Sequence, residues 1–248
     1  MRIGLIADIH GNPLALDAVL GELERAGVDE IVCLGDVAPG PQPVPTIRRL
    51  RELGSPVVLG NWDAWLVDRI PPLPPPAGDK LREQGEWWSA QLGDDERAYL
   101  RDLPPSVEVE AGGGTILCVH GSPRAFTDDI HATTPDEALG EMLDGRDPLV
   151  LATGHTHVEL VRVHASTLIV NPGSVGLPFH SWPPPNGEIR MSPWAECAIL
   201  NVSGGLVSTE LRRVPYDVRP LLESAVASGM PHARWWASCW LTLTANVP

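Results

Sequence analysis

The sequence predicts an α/β fold: a sheet flanked by helices, a second sheet built with hairpins, and a helical insertion. The amino-terminal third alternates short apolar runs with amphipathic stretches, and the carboxyl half pairs apolar runs across glycine-rich turns. With 248 residues, 43% hydrophobic and 20% charged, the chain is large enough for a layered core, expected here as a single domain over residues 1–248.

Arg2 to Ala7, rich in Ile and Leu, reads as a strand. Beyond Asp8-Ile9-His10-Gly11-Asn12, the stretch from Pro13 to Ala26 repeats Leu16, Val19, Leu20 and Leu23 at helical spacing, which predicts a helix covering a sheet, with Gly27 as C-cap. Ile31 to Leu34 predicts a strand, Thr46 to Leu53 a helix and Pro56 to Leu59 a strand, an alternation that implies a parallel sheet. Pro71 to Pro76 is a stiff connector, and Asp79 to Leu103, carrying Trp87, Trp88 and Tyr99, reads as an insertion (79–103) of one or two helices. Val107 to Val109 and Thr115 to Val119 are expected to pair across Gly112-Gly113-Gly114. Leu149 to Ala152, Leu160 to Val163 and Leu168 to Val170 continue the β pattern. After a loop at Pro183 to Gly187, Ala198 to Val202 and Leu206 to Leu211 predict a hairpin around Ser203-Gly204-Gly205. Residues 218–248 begin as a helix and end in an apolar tail with Trp235, Trp236 and Trp240, whose default role is packing.

Charge narrows the partners. Lys and Arg number 18 against 32 Asp and Glu, a net charge of −14, which argues against nucleic acid and anionic membranes as partners and leaves room for a small anion held by local cations. Cys33, Cys118, Cys197 and Cys239 form no C-x-x-C pair, as expected of reduced thiols. The first apolar run breaks at Asp8, too early for a signal-peptide core, and no later run approaches a membrane span, so the expected location is cytoplasmic. A homo-oligomer is compatible with the sequence.

The chemistry lies at strand exits. Asp8-x-His10, Gly35-Asp36, Gly60-Asn61-Trp62-Asp63, Val119-His120-Gly121 and Gly154-His155-Thr156-His157 each follow an apolar run. Loops leaving the carboxyl ends of parallel strands share one rim, so these residues are expected to converge. Alternation along extended backbone would set Asp8 and His10 on one side, as it would His155 and His157. Singly, each residue is ordinary: an Asp after a strand often caps a helix, and a lone His is often a surface residue. As an ordered set, Asp8, His10, Asp36, Asn61, His120, His155 and His157 offer three oxygens and four imidazoles with no thiolate. That donor set suits Mn, Fe, Ni, Co or Zn, and seven ligands exceed the needs of one ion.

This set resembles the calcineurin-like metallophosphoesterases, more narrowly their small bacterial and archaeal phosphodiesterases, over Met1 to Phe179. Asn171-Pro172-Gly173-Ser174-Val175-Gly176 resembles the segment that follows the His-x-His hairpin in those proteins. The resemblance implies a two-sheet α/β sandwich flanked by helices. It implies one metal site from Asp8, His10, Asp36 and His157 and a second from Asp36, Asn61, His120 and His155, bridged by Asp36. It also implies two divalent cations, Mn foremost, holding a hydroxide that attacks small phosphodiesters directly, nucleotides and cyclic nucleotides among them. Asn61, Asp63 and His120 then carry catalytic roles.

The pattern departs from the family at Trp62, where many members place a histidine credited with protonating the leaving group. An indole donates one hydrogen bond and is no general acid near neutral pH, so activated diesters are the expected substrates. Asp63 is the nearest alternative, although the resemblance gives it the task of orienting a histidine; His131 and His180 are more distant loop alternatives. Arg124 is a candidate phosphate partner or a plain surface arginine, and Trp87 and Trp88, adjacent on a helix, can place only one ring toward a pocket. Gly35-Asp36-Val37-Ala38-Pro39-Gly40 lacks the Gly-Asp-x-x-Asp-Arg-Gly run of Ser/Thr protein phosphatases. The alternatives are a phosphomonoesterase or nucleoside-polyphosphate hydrolase with the same metals, and a catalytically weak metal-binding scaffold of the same fold. The loops at Pro71 to Pro76 and Phe179 to Pro193 are expected to border the pocket and set substrate choice.

Overall fold

Alternating side chains along short strands build a buried aliphatic layer between two sheets, and helices cover what those sheets turn outward. The computed structural model describes residues 1–70, 79–182, 184 and 188–240. Along the chain run β1 (Arg2–Ile6), α1 (Pro13–Ala26), β2 (Glu30–Cys33), α2 (Pro43–Leu53), α3 (Asn61–Asp68), α4 (Asp79–Ala90), α5 (Asp94–Arg101), β3 (Ser106–Ala111) and β4 (Gly114–Val119). There follow α6 (Asp136–Met142), β5 (Val150–Ala152), β6 (Leu160–His164), β7 (Thr167–Asn171), β8 (Trp194–Ser203), β9 (Leu206–Pro215), α7 (Arg219–Ala227) and α8 (Ala233–Ser238). The first sheet has order β2-β1-β8-β9 and the second β3-β4-β5-β7-β6.

Ile3, Leu5 and Ala7 point from the first sheet into the layer that meets Ile116, Cys118, Val150 and Ala152 of the second. Ile6 faces the opposite way, toward Leu16, Val19 and Leu23 of α1, as period-two alternation requires. The helix begins as its sequence directs: the Asn12 side chain accepts from the Ala15 N–H at 3.0 Å, Pro13 follows, and Gly27 closes the helix with a left-handed φ of 64°. Such a cap contributes about 1 kcal/mol. On the outer face of the second sheet, Leu117, Leu151 and Ile169 pack against Leu139 of α6, a helix absent from the sequence reading.

Two expectations change. The hairpin β8–β9 joins the first sheet, β8 running antiparallel to β1 with Ile3 opposite Leu200, so that sheet is mixed where a parallel one was expected. Its hydrophobic pattern identifies it as strand without specifying which free edge it completes. Pro56 to Leu59 is reduced to one parallel bridge, Cys33 to Val57, because the chain enters α3 at Asn61. The 79–103 insertion is two helices whose Trp88, Leu92 and Leu100 join the layer covering the first sheet. The connector at 71–76, most of the turn at 183–187 and the end of the tail, 241–248, lie outside the described residues.

Candidate metal centre

Each predicted ligand stands on a loop or helix start beyond a strand end. Asp8 and His10 follow β1, Asp36 follows β2, Asn61 opens α3, His120 directly follows β4, and His155 and His157 follow β5. Because β1 and β2 belong to one sheet and β4 and β5 to the other, the two rims meet there. Asp8, Asp36 and His120 are at most 1% exposed.

The backbone converges by a different route from the one expected. Asp8, His10, Asp36, His155 and His157 have φ values of 54°, 49°, 51°, 68° and 57°, five of the nine non-glycine residues in the left-handed region among the described residues. Alternation along extended backbone therefore does not apply, and each such residue costs about 1–2 kcal/mol that the surrounding fold must offset. Asp8 and His10 still meet, with His10 Nε2 3.9 Å from Asp8 Oδ1. His155 and His157 part: the first lies beside His120 with ring centres 5.1 Å apart, the second beside His10 at 4.7 Å.

The braces are largely backbone hydrogen bonds. The His155 N–H donates to Asp8 Oδ2 at 3.0 Å, and the Trp62 N–H donates to Asp36 Oδ1 at 2.9 Å. Ser174 Oγ donates to the Asp8 carbonyl at 2.8 Å, and the N–H groups of Val175 and Gly176 donate to the Ala7 and Asp8 carbonyls, so the 171–176 turn supports the first ligand loop. Gly60 is required for closeness: a Cβ there would stand 2.2 Å from Asp36 N and Oδ1.

What remains faces inward and lacks partners. His120 Nδ1 donates to the Leu34 carbonyl at 2.7 Å and His157 Nδ1 to the Leu177 carbonyl at 2.8 Å, which leaves both Nε2 lone pairs directed into the centre. His120 Nε2 then meets Asn61 Oδ1 at 2.9 Å, and His157 Nε2 meets His10 Nε2 at 3.0 Å. A proton or a shared cation between each pair would satisfy both atoms. Asp8 Oδ1 is buried without a hydrogen-bond partner, 3.4 Å from His157 Nε2. Asp36 Oδ2 lies 3.7 Å from His10 Nε2 and 3.6 Å from His120 Nε2, between the two groups.

Two clusters, Asp8–His10–His157 and Asp8–Asp36–His120, have ligand atoms within 4.8 Å of one another and could each hold a metal ion. The donor set fits a divalent cation of the borderline class. His155 stands outside both clusters, its Nε2 3.5 Å from Asp129 Oδ1.

Burial controls the protonation states. It drives the His10 ring well below its usual value, aided by His157, and lowers His120 to about 4, His155 to about 4 and His157 to about 3. All four are neutral at pH 7, the form a cation needs. Burial, with repulsion from Asp36, raises Asp8 well above the carboxylate range, and burial raises Asp36 and Asp63 to about 7. Asp8 and Asp36, two buried carboxylates with no Lys or Arg against them among the described residues, make a site suited to positive charge.

The other candidates have partners of their own. Among the described residues Asp63 pairs with backbone and with no histidine: Oδ1 accepts from Val37 N at 3.1 Å and Ala38 N at 2.9 Å, so the carboxylate fixes the loop carrying Asp36. Arg124 is exposed and clamped onto Asp128, with Nε–Oδ2 3.0 Å and Nη2–Oδ1 2.9 Å, and it is not free for phosphate. His131 stacks on Trp182 and His180 tilts against Trp194, and neither lines the cavity beside the centre.

That cavity, about 270 Å³, opens beside His10, Asp36, His155 and His157. Trp62 and Trp88 form part of its wall, so one ring of the Trp87–Trp88 pair faces a pocket. Phe179, Met191, Trp235 and Trp236 complete it, giving the apolar tail a place that its sequence did not announce. Ile189 and Phe179 border it as the loop reading expects, while the Pro71–Pro76 connector falls outside the described residues.

A two-sheet sandwich with an Asp/His/Asn cluster at the joined rims defines the architecture of the metallophosphoesterases. A crystal structure of a metallophosphoesterase from Sphaerobacter thermophilus matches with 27% identity and a TM-score of 0.72, covering 94% of this chain and 96% of that one. A hypothetical protein from Pyrococcus horikoshii shares the fold at 22% identity and a TM-score of 0.74, covering 93% and 94%. An uncharacterized protein of Methanocaldococcus jannaschii is 24% identical over 249 residues, 92% of this chain and 93% of the relative. Residues 1–187 match the model of the calcineurin-like phosphoesterase superfamily domain, and the chain belongs to that family. Membership implies hydrolysis of a phosphoester. No helix among the described residues is long and apolar enough to cross a membrane.

Proposed function

We propose that this chain is a dinuclear, metal-dependent hydrolase of small phosphodiesters, working in the cytoplasm with Mn as its foremost cation. The observation that carries the reading is Asp36 Oδ2, set 3.7 and 3.6 Å from the inward-facing nitrogens of His10 and His120, a bridging position between two ligand groups. Asp8, His10, Asp36 and His157 would hold one cation, and Asp36, Asn61, His120 and His155 the second. When bound, such a pair supplies Lewis-acid stabilisation of the phosphoryl oxygens and an activated water.

The chain's own contribution is orientation and exclusion. The Leu34 and Leu177 carbonyls fix the His120 and His157 rings with Nε2 inward, and the Trp62 N–H holds one oxygen of Asp36 so that the other faces the centre. No Lys or Arg lines the cavity among the described residues, which favours a diester over the more highly charged monoester or polyphosphate. Trp62 offers no proton to a departing alkoxide, so diesters with good leaving groups turn over fastest. The four cysteines are unpaired, in keeping with a reducing compartment.

The test is hydrolysis of bis(p-nitrophenyl) phosphate by metal-stripped protein refilled with Mn, alongside the Asn61→Ala and His155→Ala variants. Turnover restored by Mn and lost on either substitution, with bound metal falling from two to one, supports the reading. Two bound metals with no turnover on any phosphoester would favour a binding scaffold. Vps29 of Chaetomium thermophilum, a protein of this fold, covers 87% of the chain at 19% identity and a TM-score of 0.51.

A further inference from the structure

The cavity beside the metal centre differs from the rim it adjoins. Four residues on its floor, His10, Asp36, His155 and His157, are ligand-capable, and the remaining wall is aromatic and aliphatic. Beyond those four, the side-chain hydrogen-bonding groups in the wall among the described residues are indole N–H groups, the Cys239 thiol and the Met191 thioether. One of those indoles is already engaged, Trp88 Nε1 donating to Met230 Sδ at 3.3 Å. A nucleoside seated there would bring ribose hydroxyls and base edges to a wall with few partners for them, and each unpaired polar group costs affinity.

Two of the cations near the mouth have partners of their own among the described residues. Lys80 Nζ lies 4.8 Å from the centre of the Trp235 ring, and Arg190 pairs with Glu188 at 3.0 Å. Trp62 is fixed edge-to-face by Trp65 and Trp88, with ring centres 5.5 and 5.8 Å away. Phe179 stacks on His157 at 4.6 Å, tying the wall directly to a ligand of the centre. The wall is therefore pre-arranged, and it continues without a break from the atoms that would meet the phosphoryl group.

We propose that this cavity is the subsite for an apolar ester group, so that the substrate class is a small phosphodiester carrying an aryl or compact alkyl substituent, and not a nucleotide. The proposal rests on the phosphodiesterase reading above. At about 270 Å³ the space lies at the small end of ligand pockets, enough for a phosphoryl group and one ring-sized substituent. Burial of one ring against such a wall contributes on the order of tenfold to a hundredfold in affinity.

Calorimetric titration of the Mn-loaded protein with methylphosphonate, phenylphosphonate and thymidine 5′-monophosphate isolates the subsite, because each ligand pairs one phosphoryl head with one substituent. Phenylphosphonate is expected to bind at least about tenfold more tightly than either of the others. In Trp235→Ala and Ile189→Ala that ratio is expected to fall toward one; both side chains are 39% exposed, so their truncation spares the core. Equal affinities, or tightest binding of the thymidine nucleotide, would overturn the proposal. Hydrolysis of bis(p-nitrophenyl) phosphate, measured separately, reports on the phosphodiesterase reading alone. A protein that prefers phenylphosphonate and hydrolyses nothing would retain the subsite and lose the enzyme, whereas one that hydrolyses the diester without the preference would do the reverse.

Discussion

The metal rim and the aromatic wall lie side by side and are built on opposite principles. The rim sets short polar side chains on strained backbone, five of them at positive φ, with most positions held by backbone hydrogen bonds. The wall sets large rings from α3, α4, α8 and the segment around Phe179 on ordinary backbone and is held by ring packing. A strained polar cluster is specific in its chemistry and intolerant of change, because an ångström of displacement ends coordination. A packed apolar wall is tolerant, because neighbouring rings can shift to share a loss. Chemistry should therefore fail at the rim, and selectivity should drift at the wall.

The largest effect should come from Asp36→Ala. Losing the shared carboxylate is expected to reduce bound Mn from two to at most one and to lower kcat at least about a thousandfold, read by metal analysis and steady-state kinetics. Trp62→Ala, by contrast, should leave the metal content at two. A result in which the wall substitution strips metal would break the comparison.

Asp63→Asn should be next. The change removes a charged acceptor from the Val37 and Ala38 N–H groups, so metal affinity or kcat should fall about 10–100-fold with every ligand still present. Gly60→Ala probes the same loop by sterics, since its Cβ would stand 2.2 Å from Asp36, and it should weaken Mn binding with a similar loss.

Stability should respond in the opposite sense to activity. Asp8 is fully buried and without a cationic side-chain partner, so Asp8→Asn should raise the Tm of metal-free protein by roughly 2–4 °C, about 1 kcal/mol, while abolishing Mn binding. Thermal melts with and without Mn read both.

Away from the rim, burial raises Glu196 to about 7 from 4.5, even though Trp194 Nε1 donates to it at 3.0 Å. Between those values the folded state holds a proton that the unfolded state has released, so stability falls as pH rises through the interval and levels off above about 7. From pH 5.5 to 8 this group is expected to remove roughly 2 kcal/mol, and Glu196→Gln should flatten that part of the profile. The smallest effect should be that of Arg124→Ala: an exposed ion-pair partner that does not line the cavity, it should leave kcat/KM within about twofold.

The same contrast governs how much was legible beforehand. All seven ligand candidates could be read from order and position, because a polar residue at a strand exit interrupts an apolar run and so marks itself. Their convergence by left-handed backbone could not, since nothing in Asp8-x-His10 distinguishes extended from αL geometry. The partner of Asp63 was not legible, because a carboxylate two residues beyond Asn61 is equally placed for a side-chain or a backbone partner until the Asp36 loop folds over it. Trp235 and Trp236 were noticed and given no task, since an aromatic residue reads the same whether it fills a core or walls a cavity.

By itself the sequence determined the α/β class, most of the helices and strands, and the chemistry available at the rim, because periodicity, turn residues and donor types are local properties of the chain. The tertiary structure alone decided that β8 completes the first sheet, that Asp36 stands between His10 and His120, and that the carboxyl-terminal tryptophans close a cavity over the centre. Those arrangements join residues as far apart as Trp62 and Trp235, and which surfaces meet across such a separation depends on the packing of the whole molecule.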